Sequence, residues 1–302
     1  MSKIIVAALY KFANQPDYMA FQPKLLHMCK KHGVKGTLLL ASEGINGTIA
    51  GTREGIDAVL NFIRSKEIFS DLEHKESFAE VMPFLRMKVR LKKEIVTMGV
   101  ENTNPNAAVG TYLNPKEWND MIQDDNTILI DCRNDYEYEI GTFKDAINPK
   151  TETFREFPAY VEKTLMDKKN KNIAMFCTGG IRCERSTSLL KQWGFENVYH
   201  LKGGVLKYLE DVPQDDSLWE GECFVFDNRV AVKHGLELGS FDQCYGCRYP
   251  ITQEDKKSDL YLEGVHCPRC YHKRTEEQHR SAAARQEQIR IAKSKNIKHL
   301  GR

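Results

Sequence analysis

The sequence predicts a mixed α/β protein in three parts. Strand-like and helix-like segments follow the order β-α-β-β-α-β over residues 1–95, which predicts an N-terminal α+β domain. Strands alternate with helices over residues 116–215, as is typical of a parallel sheet. Residues 216–275 hold two closely spaced cysteine pairs and are expected to be a small cysteine-rich region. Residues 96–115, rich in Asn, are expected to be a linker, and residues 276–302 a basic tail that is helical or disordered.

The composition is that of an ordinary globular chain. Of 302 residues, 41% are hydrophobic and 28% are charged. No apolar run approaches the roughly 20 residues that a membrane-spanning helix needs, and the N-terminus has no signal-peptide pattern. We therefore expect a cytoplasmic protein without membrane contact. In that compartment its nine cysteines would serve as metal ligands or reactive thiols rather than as disulfides.

Charge is distributed unevenly along the chain. The formal net charge is +2, but residues 1–95 carry +5, residues 271–302 carry +6 and the segment between them carries −9. Basic ends on either side of an acidic middle favour a polyanionic partner held by the ends. The alternative for any single basic patch is an ordinary solvated surface.

The first domain is expected to have a ferredoxin-like fold. The expected elements are a strand over 4–10, a helix over 16–32, hairpin strands over 36–41 and 48–50, a helix over 53–65 and a closing strand over 84–93. The closing strand alternates apolar residues with the cations Arg86, Lys88, Arg90 and Lys92. This row of charges fits a phosphate backbone and would position RNA without reading its bases. An ordinary solvent-exposed face is the other interpretation.

The central domain is expected to place its chemistry at the carboxyl end of a buried strand. The expected elements are helices over 116–123 and 155–167, strands over 127–131, 171–177 and 197–200, and a short helix that ends at 210. Cys177 ends the strand predicted over 171–177, and a turn leads from it into a helix that opens at Cys183. The turn consists of Thr178, Gly179, Gly180, Ile181 and Arg182.

The turn after Cys177 favours a negative charge on its sulfur. Backbone N–H groups, the positive end of the following helix and the Arg182 guanidinium all stabilise an anion there. We therefore expect Cys177 to have a depressed pKa and to act as a nucleophile. Cys183 is expected either to resolve an oxidised Cys177 as a disulfide or to be a structural thiol. The alternative for Cys177 itself is a buried structural cysteine.

Loop length narrows the chemistry of Cys177. Cysteine-based phosphatases place five residues between Cys and Arg, which would require arginine at position 183, where this chain has Cys183. The six-residue loop from Cys177 to Arg182 resembles the active-site loop of rhodanese domains, which suits a persulfide or another small anion. Residues 131–141 and 146–149 resemble the rhodanese signature that closes the first half of that fold. Asp131 and Arg133 in that signature are expected to form an ion pair that supports the loop.

The C-terminal cysteines have the spacing of a metal site. Two Cys-x-x-Cys pairs are separated by 19 residues and consist of Cys244, Cys247, Cys267 and Cys270. Each such pair forms a turn that presents two thiolates to one ion, so the spacing predicts a structural zinc site with tetrahedral geometry. Four thiols without a metal are the alternative.

The order of these segments resembles the TrhO (YceA-type) family of rhodanese-domain tRNA uridine hydroxylases. The resemblance covers residues 1 to about 275 and includes the stretches Glu43-Gly-Ile-Asn-Gly47, Cys177-Thr-Gly-Gly-Ile-Arg-Cys-Glu184 and Cys223-Phe-Val-Phe-Asp227. It implies oxygen-dependent formation of 5-hydroxyuridine at the wobble position of tRNA, with Cys177 as the active residue. It also implies molecular oxygen as co-substrate and tRNA as partner.

The residues themselves suggest a cysteine mechanism for such a reaction. The sequence has no flavin or nicotinamide fingerprint, and it does not identify an electron donor. In one hypothesis the Cys177 thiolate, or its persulfide, adds to carbon 6 of uracil, and the resulting carbanion at carbon 5 attacks an oxygen source. Arg182 would stabilise the developing negative charge. The alternatives are a sulfurtransferase with a persulfide on Cys177 and a non-catalytic RNA-binding module.

Overall fold

A computed structural model of the chain describes residues 3–296. These residues divide into two compact units. The first unit comprises the chain up to Phe224 together with Lys233–Glu237, and the second comprises the remainder. The first unit contains both an antiparallel and a parallel sheet, and the second contains the four C-terminal cysteines. The predicted fold class is confirmed.

The N-terminal part of the first unit is a five-stranded sheet covered by two helices. Its elements are β1 Ile4–Phe12, α1 Tyr18–Lys31, β2 Lys35–Ala41, β3 Gly44–Gly51, α2 Arg53–Arg64, β4 His74–Ala79 and β5 Met87–Leu91. The strand order is β4-β1-β3-β2-β5. The first four strands pair antiparallel, and β5 pairs parallel with β2. This arrangement is the ferredoxin-like topology with one added edge strand.

The assignment of the closing strand to residues 84–93 is wrong. The strand that completes the ferredoxin-like order is β4, whose six residues pair with β1. β5 occupies part of the predicted range but lies at the opposite edge of the sheet. The sequence of β4, His-Lys-Glu-Ser-Phe-Ala, has no apolar alternation, because its residues are half-buried or exposed rather than packed in the core. This segment is a strand because it pairs with β1, and its own sequence contains no pattern that predicts a strand.

One face of this sheet forms a hydrophobic core with the helices. α2 buries residues at helical spacing, among them Ile56, Val59, Leu60 and Ile63. Thr52 caps this helix by accepting a hydrogen bond from the Gly55 N–H at 3.2 Å. Alternate residues of the strands point into the same core, so the remaining alternate residues form a second face directed away from the helices.

The central part of the first unit has a four-stranded parallel sheet. Its elements are β6 Thr111–Leu113, α3 Pro115–Ile122, β7 Thr127–Asp131, α4 Asp135–Tyr138, β8 Gly141–Phe143, α5 Phe157–Thr164, β9 Asn172–Phe176, α6 Ile181–Gln192, β10 Val198–Leu201 and α7 Gly204–Asp211. The strand order is β6-β10-β9-β7. β8 pairs antiparallel with β11, Trp219–Gly221, and β12 is Cys223–Phe224.

The predicted linker over 96–115 also requires correction. Its last part contains β6, which pairs with β10 at the edge of the parallel sheet. Three residues are too few to show an alternating pattern, so only the register with β10 identifies this strand. The segment is therefore partly a strand of the central domain and not only a connection.

The second unit is described on its own. Its elements are β13 Ala231–Val232, β14 Asp242–Gln243, β15 Pro250–Ile251, α8 Pro268–Tyr271 and α9 Glu276–Ser294. α9 begins at a capping box formed by Thr275 and Gln278, so most of the predicted basic tail is helical. Residues 297–302 of that tail lie outside the described residues. Within residues 3–296, no helix combines the length and apolar character needed to cross a bilayer.

Candidate active site

Cys177 lies at the carboxyl end of β9, immediately before the loop that leads into α6. Its side chain is fully buried, and the Gly180 N–H donates a hydrogen bond to its sulfur at 3.1 Å. Gly180 has φ +105°, a left-handed conformation that most other residues avoid. The glycine thus turns a backbone N–H toward the sulfur.

Several groups stabilise the Cys177 thiolate. Burial by itself would raise the pKa of Cys177. The thiol and N–H of Cys183, the charge of Arg182 and the N–H of Gly180 outweigh burial and lower the pKa to about 5. Cys177 is therefore largely ionised near neutral pH, as a nucleophilic cysteine requires.

Arg182 forms a buried ion pair with Glu137. Its Nη1 lies 2.6 Å from Glu137 Oε2, and its Nη2 lies 2.7 Å from Glu137 Oε1. The Thr178 hydroxyl donates to the same carboxylate at 3.1 Å. Burial would lower the pKa of Arg182, but the Glu137 charge raises it well above its usual value. The guanidinium therefore shapes the loop and is directed to Glu137, which the sequence analysis did not assign to this site.

Asp131 and Arg133 form a second buried ion pair, at the end of β7. Arg133 Nη2 lies 2.6 Å from Asp131 Oδ2, and both side chains are fully buried. Arg133 Nη2 also donates to the Gly141 carbonyl at 2.6 Å, and the Thr142 hydroxyl donates to Asp131 at 3.1 Å. The guanidinium carbon lies 4.9 Å from the centroid of the Trp219 indole. This pair ties β7 to β8 beside the loop.

Three cysteines share the core around the loop. Cys132, Cys177 and Cys183 are all buried in one hydrophobic cluster. Burial raises the pKa of Cys183 well above its usual value, and the neighbouring thiols of Cys132 and Cys177 raise it further. Cys183 is therefore a neutral thiol that donates a hydrogen bond to the Cys177 thiolate.

The N-terminal domain contributes residues to the mouth of the loop. Lys75 Nζ donates to the Gly179 carbonyl at 3.1 Å, and the Tyr10 hydroxyl donates to Glu184 Oε1 at 2.8 Å. Glu43 forms an ion pair with Arg185 of α6. Glu43 lies in one of the stretches that carry the family resemblance, so that stretch was the only sequence signal for this contact. The candidate site is built from two domains of the same unit.

The predicted row of cations lies on the face of the N-terminal sheet that is directed away from its helices. Val89 points into the helix-covered core, so its direct neighbours Lys88 and Arg90 point to the opposite face of the sheet. Three of the cations are exposed and Lys88 is half-buried. Lys88 and Arg90 belong to β5, and Arg86 and Lys92 flank it.

Cross-strand register relates this row to the loop. Lys88 pairs with Thr37, Thr37 with Thr48, Thr48 with Ala8 and Ala8 with Lys75. Paired residues point to the same face of a sheet. The cations of β5 therefore share a face with Lys75, which contacts the loop.

The four C-terminal cysteines fit a metal ion. Their sulfurs all lie within 4.8 Å of one another. The distance from Cys244 to Cys270 is 3.9 Å, and the distances from Cys267 to Cys247 and to Cys270 are both 3.8 Å. Tetrahedral zinc with Zn–S bonds of about 2.3 Å places its sulfurs about 3.8 Å apart. The donor set and its spacing therefore suit structural zinc.

Comparisons with known proteins identify two domain families in this chain. Residues 4–95 match the UPF0176 acylphosphatase-like domain, and residues 114–211 match the rhodanese-like domain. Among solved structures, the rhodanese-like domain of an Anabaena protein is 18% identical, with a TM-score of 0.31 over 37% of this chain and 80% of that one. A rhodanese-related protein from Thermoplasma volcanium is 20% identical, with a TM-score of 0.28 over 34% of this chain and 95% of that one.

A relative matches along the whole length. A tRNA uridine(34) hydroxylase from Teredinibacter turnerae is 58% identical over 301 residues, which cover 100% of this chain and 94% of the relative. The two domain families match in the order that the sequence resemblance implied. The chain is therefore a member of the tRNA uridine(34) hydroxylase family.

Proposed function

We propose that this protein is an oxidoreductase that hydroxylates uridine 34, the wobble uridine of tRNA, at carbon 5, with Cys177 as nucleophile. The observation that carries the proposal is Cys177, which is buried at the end of β9 in the matched rhodanese-like domain and whose sulfur accepts a hydrogen bond from the Gly180 N–H at 3.1 Å. The 58% identical relative named tRNA uridine(34) hydroxylase supports the substrate. As tRNA is the substrate, the cytoplasm is the expected site of action.

The proposed chemistry begins with addition of the Cys177 thiolate to carbon 6 of uracil. The electron pair of the carbon 5–carbon 6 double bond moves toward oxygen 4 and leaves carbon 5 as a nucleophile. Carbon 5 then takes an oxygen atom. With molecular oxygen as the source, uridine, oxygen, two electrons and two protons give 5-hydroxyuridine and water. The electron donor is a separate reductant.

The cationic face of the N-terminal sheet is proposed to hold the tRNA backbone. Lys88 on this face lies four strand spacings, or about 19 Å, from Lys75 at the mouth of the loop. A tRNA backbone held by Lys88 and its neighbouring cations would therefore lie close to the loop. Bases of an anticodon loop are unpaired and can enter a pocket without duplex melting. We expect substitution of Lys88 and Arg90 by glutamine to weaken tRNA binding and to reduce its salt dependence.

Zinc is proposed to have a structural role in the second unit. Cys244, Cys247, Cys267 and Cys270 would hold it, and four thiolates leave no position for a substrate. The ion would supply folding free energy to its unit and no chemistry to the reaction.

Nucleoside mass spectrometry of tRNA tests the proposed function. Cells that lack the gene are complemented with wild type, with Cys177→Ala or with Cys29→Ala, a control that removes a buried thiol from the N-terminal core. Wild type and the control should restore 5-hydroxyuridine-derived nucleosides, and Cys177→Ala should not. Restoration by Cys177→Ala would overturn the cysteine chemistry. A change only in thiolated nucleosides would replace the hydroxylase by a sulfurtransferase.

A further inference from the structure

A cluster of ionisable side chains lies at the mouth of the Cys177 loop, apart from the buried ion pairs beside it. Lys75 comes from β4, Tyr10 from β1 and Glu184 from the first turns of α6. Lys75 and Tyr10 point to the same face of the N-terminal sheet, since Lys75 pairs with Ala8, two residues before Tyr10. The cluster thus combines two groups of one domain with one group of the other.

The cluster is in close contact with the loop backbone. Lys75 Nζ lies 3.1 Å from the Gly179 carbonyl oxygen and 5.5 Å from the centroid of the Tyr10 ring. The Tyr10 hydroxyl lies 2.8 Å from Glu184 Oε1. A Cβ atom at Gly180 would lie 2.7 Å from the Tyr10 hydroxyl, so the close approach of Tyr10 requires glycine there.

The two ionisable partners have pKa values displaced toward neutrality from opposite sides. Burial lowers the pKa of Lys75, although the charges of Cys177 and Glu184 oppose this effect. Burial raises the pKa of Glu184, although hydrogen bonds from Tyr10 and Tyr112 oppose it. Groups displaced in this way are suited to proton transfer.

Lys75 is better placed than Arg182 to donate a hydrogen bond to a substrate. Both terminal nitrogens of Arg182 are directed to Glu137. The ammonium of Lys75 has three N–H donors, and its contact with the Gly179 carbonyl uses one of them. The Lys75 side chain is also half-buried, so part of it is accessible to solvent.

We propose that Lys75 stabilises the negative charge of the cysteine adduct of the substrate uracil and that Glu184 accepts the proton that the adduct loses. This inference rests on the proposed function. When the Cys177 sulfur bonds to carbon 6, Lys75 donates a hydrogen bond to oxygen 4, on which the negative charge develops. After carbon 5 has gained its new substituent, Glu184 accepts the proton of carbon 5. The electron pair of that C–H bond restores the double bond, and the carbon–sulfur bond breaks to release the thiolate.

The same steps predict a reaction that needs no oxidant. If water delivers a proton to the face of carbon 5 that oxygen would otherwise take, and Glu184 removes the original hydrogen from the opposite face, carbon 5 exchanges its hydrogen with water. No electrons are gained or lost, so the exchange proceeds without oxygen and without an electron donor. It reports addition, proton transfer and elimination alone.

The test is exchange at carbon 5 in tRNA that carries deuterium at that position of its uridines. The full-length enzyme acts under anaerobic conditions at saturating tRNA, and loss of deuterium from uridine 34 is measured by mass spectrometry of a tRNA fragment. Wild type should exchange, and Cys177→Ala should not. Lys75→Met and Glu184→Gln should each slow exchange by about 10²-fold or more. Lys30→Met, which changes an exposed lysine of α1, should exchange like wild type.

Two further variants separate a chemical role from a structural one. Lys75→Arg keeps a cation and should exchange faster than Lys75→Met. Tyr10→Phe removes a hydrogen bond to the Glu184 carboxylate, so the pKa of Glu184 should rise further. The acidic limb of the exchange rate, where Glu184 becomes ionised, should therefore move to higher pH. If Glu184 only held the two domains together, Tyr10→Phe would leave the acidic limb of the exchange rate where it is in wild type.

Four outcomes would overturn the inference. Lys75→Met exchanging at the wild-type rate would remove Lys75 from the chemistry, and equal rates for Lys75→Arg and Lys75→Met with an unmoved pH limb would leave a structural role only. Hydroxylation by a wild type that shows no exchange would overturn the proton transfer inferred for Glu184, whereas the proposed hydroxylation of uridine 34 would stand. Absence of both exchange and hydroxylation in wild type would overturn the inference and the proposed function together.

Discussion

The buried cysteine of the loop, Cys177, and the four cysteines of the second unit, of which Cys247 is half-buried, have different surroundings. Around Cys177 the nearest stabilising groups are backbone N–H donors, the neutral thiol of Cys183 and the charge of Arg182. In the second unit four sulfurs stand within 4.8 Å of one another. The first arrangement stabilises a single thiolate, whereas the second directs four sulfurs at one point. Under the proposed function, the neighbours of a thiol, more than its burial, determine whether it acts as a nucleophile or as a metal ligand.

Metal removal should give the largest effect. Structural zinc contributes about 10 kcal/mol or more to the folding of small zinc domains. We expect Cys247→Ser to reduce the zinc content, measured by mass spectrometry, and to make the second unit sensitive to proteolysis. The rate at which Cys177 reacts with iodoacetamide should stay unchanged, because the groups that lower its pKa all lie in the first unit. A parallel loss of Cys177 reactivity would show that the two cysteine groups are not independent.

Substitution of Cys177 should produce the converse result. In Cys177→Ala the rate of hydroxylation in a single turnover should fall by at least about 10³-fold, since no other group replaces a missing nucleophile. The zinc content and the thermal unfolding of the second unit should not change. A variant that retained more than a tenth of the activity would place Cys177 among the structural cysteines instead.

The Glu137–Arg182 pair should matter chiefly for stability of the loop. Glu137→Gln leaves a buried guanidinium without its counter-charge, which costs about 3–5 kcal/mol. Urea denaturation of the first unit should show this loss. The matched control is Glu162→Gln, which changes an exposed carboxylate of α5 and should have little effect. Equal stability of the two variants would show that Arg182 does not depend on Glu137.

The sequence predicted the features that depend on local spacing. The Cys177 loop and the paired cysteines of the second unit are each defined by a few neighbouring residues whose chemistry is evident from their order. The contacts of Lys75 with Gly179 and of Tyr10 with Glu184 were not predicted, because they join residues 104 and 174 positions apart. Such pairs become visible only when the open face of one sheet is placed against the loop of the other domain.

The position of β4 was missed for the related reason that its sequence carries no strand signal of its own. Its half-buried polar residues are fixed by pairing with β1, and Lys75 is one of them. A search based on apolar alternation selects β5 instead, where the core residue Val89 gives the pattern. Segments that contribute polar groups to a site are therefore harder to predict than segments that build the core.

The smallest expected effect concerns the pH dependence of Cys177. Its pKa of about 5 lies below the usual value, so the reactive thiolate should be present above pH 5 and lost as the pH falls through that value. The rate of alkylation by iodoacetamide should follow this curve. In Cys183→Ala the thiolate loses a hydrogen-bond donor, so the midpoint should move to higher pH. Cys132→Ala removes a thiol that contacts Cys183 and should leave the midpoint closer to that of wild type. An unmoved midpoint in Cys183→Ala would mean that backbone N–H groups and Arg182 suffice to hold the thiolate, and Cys183 would then join the structural thiols.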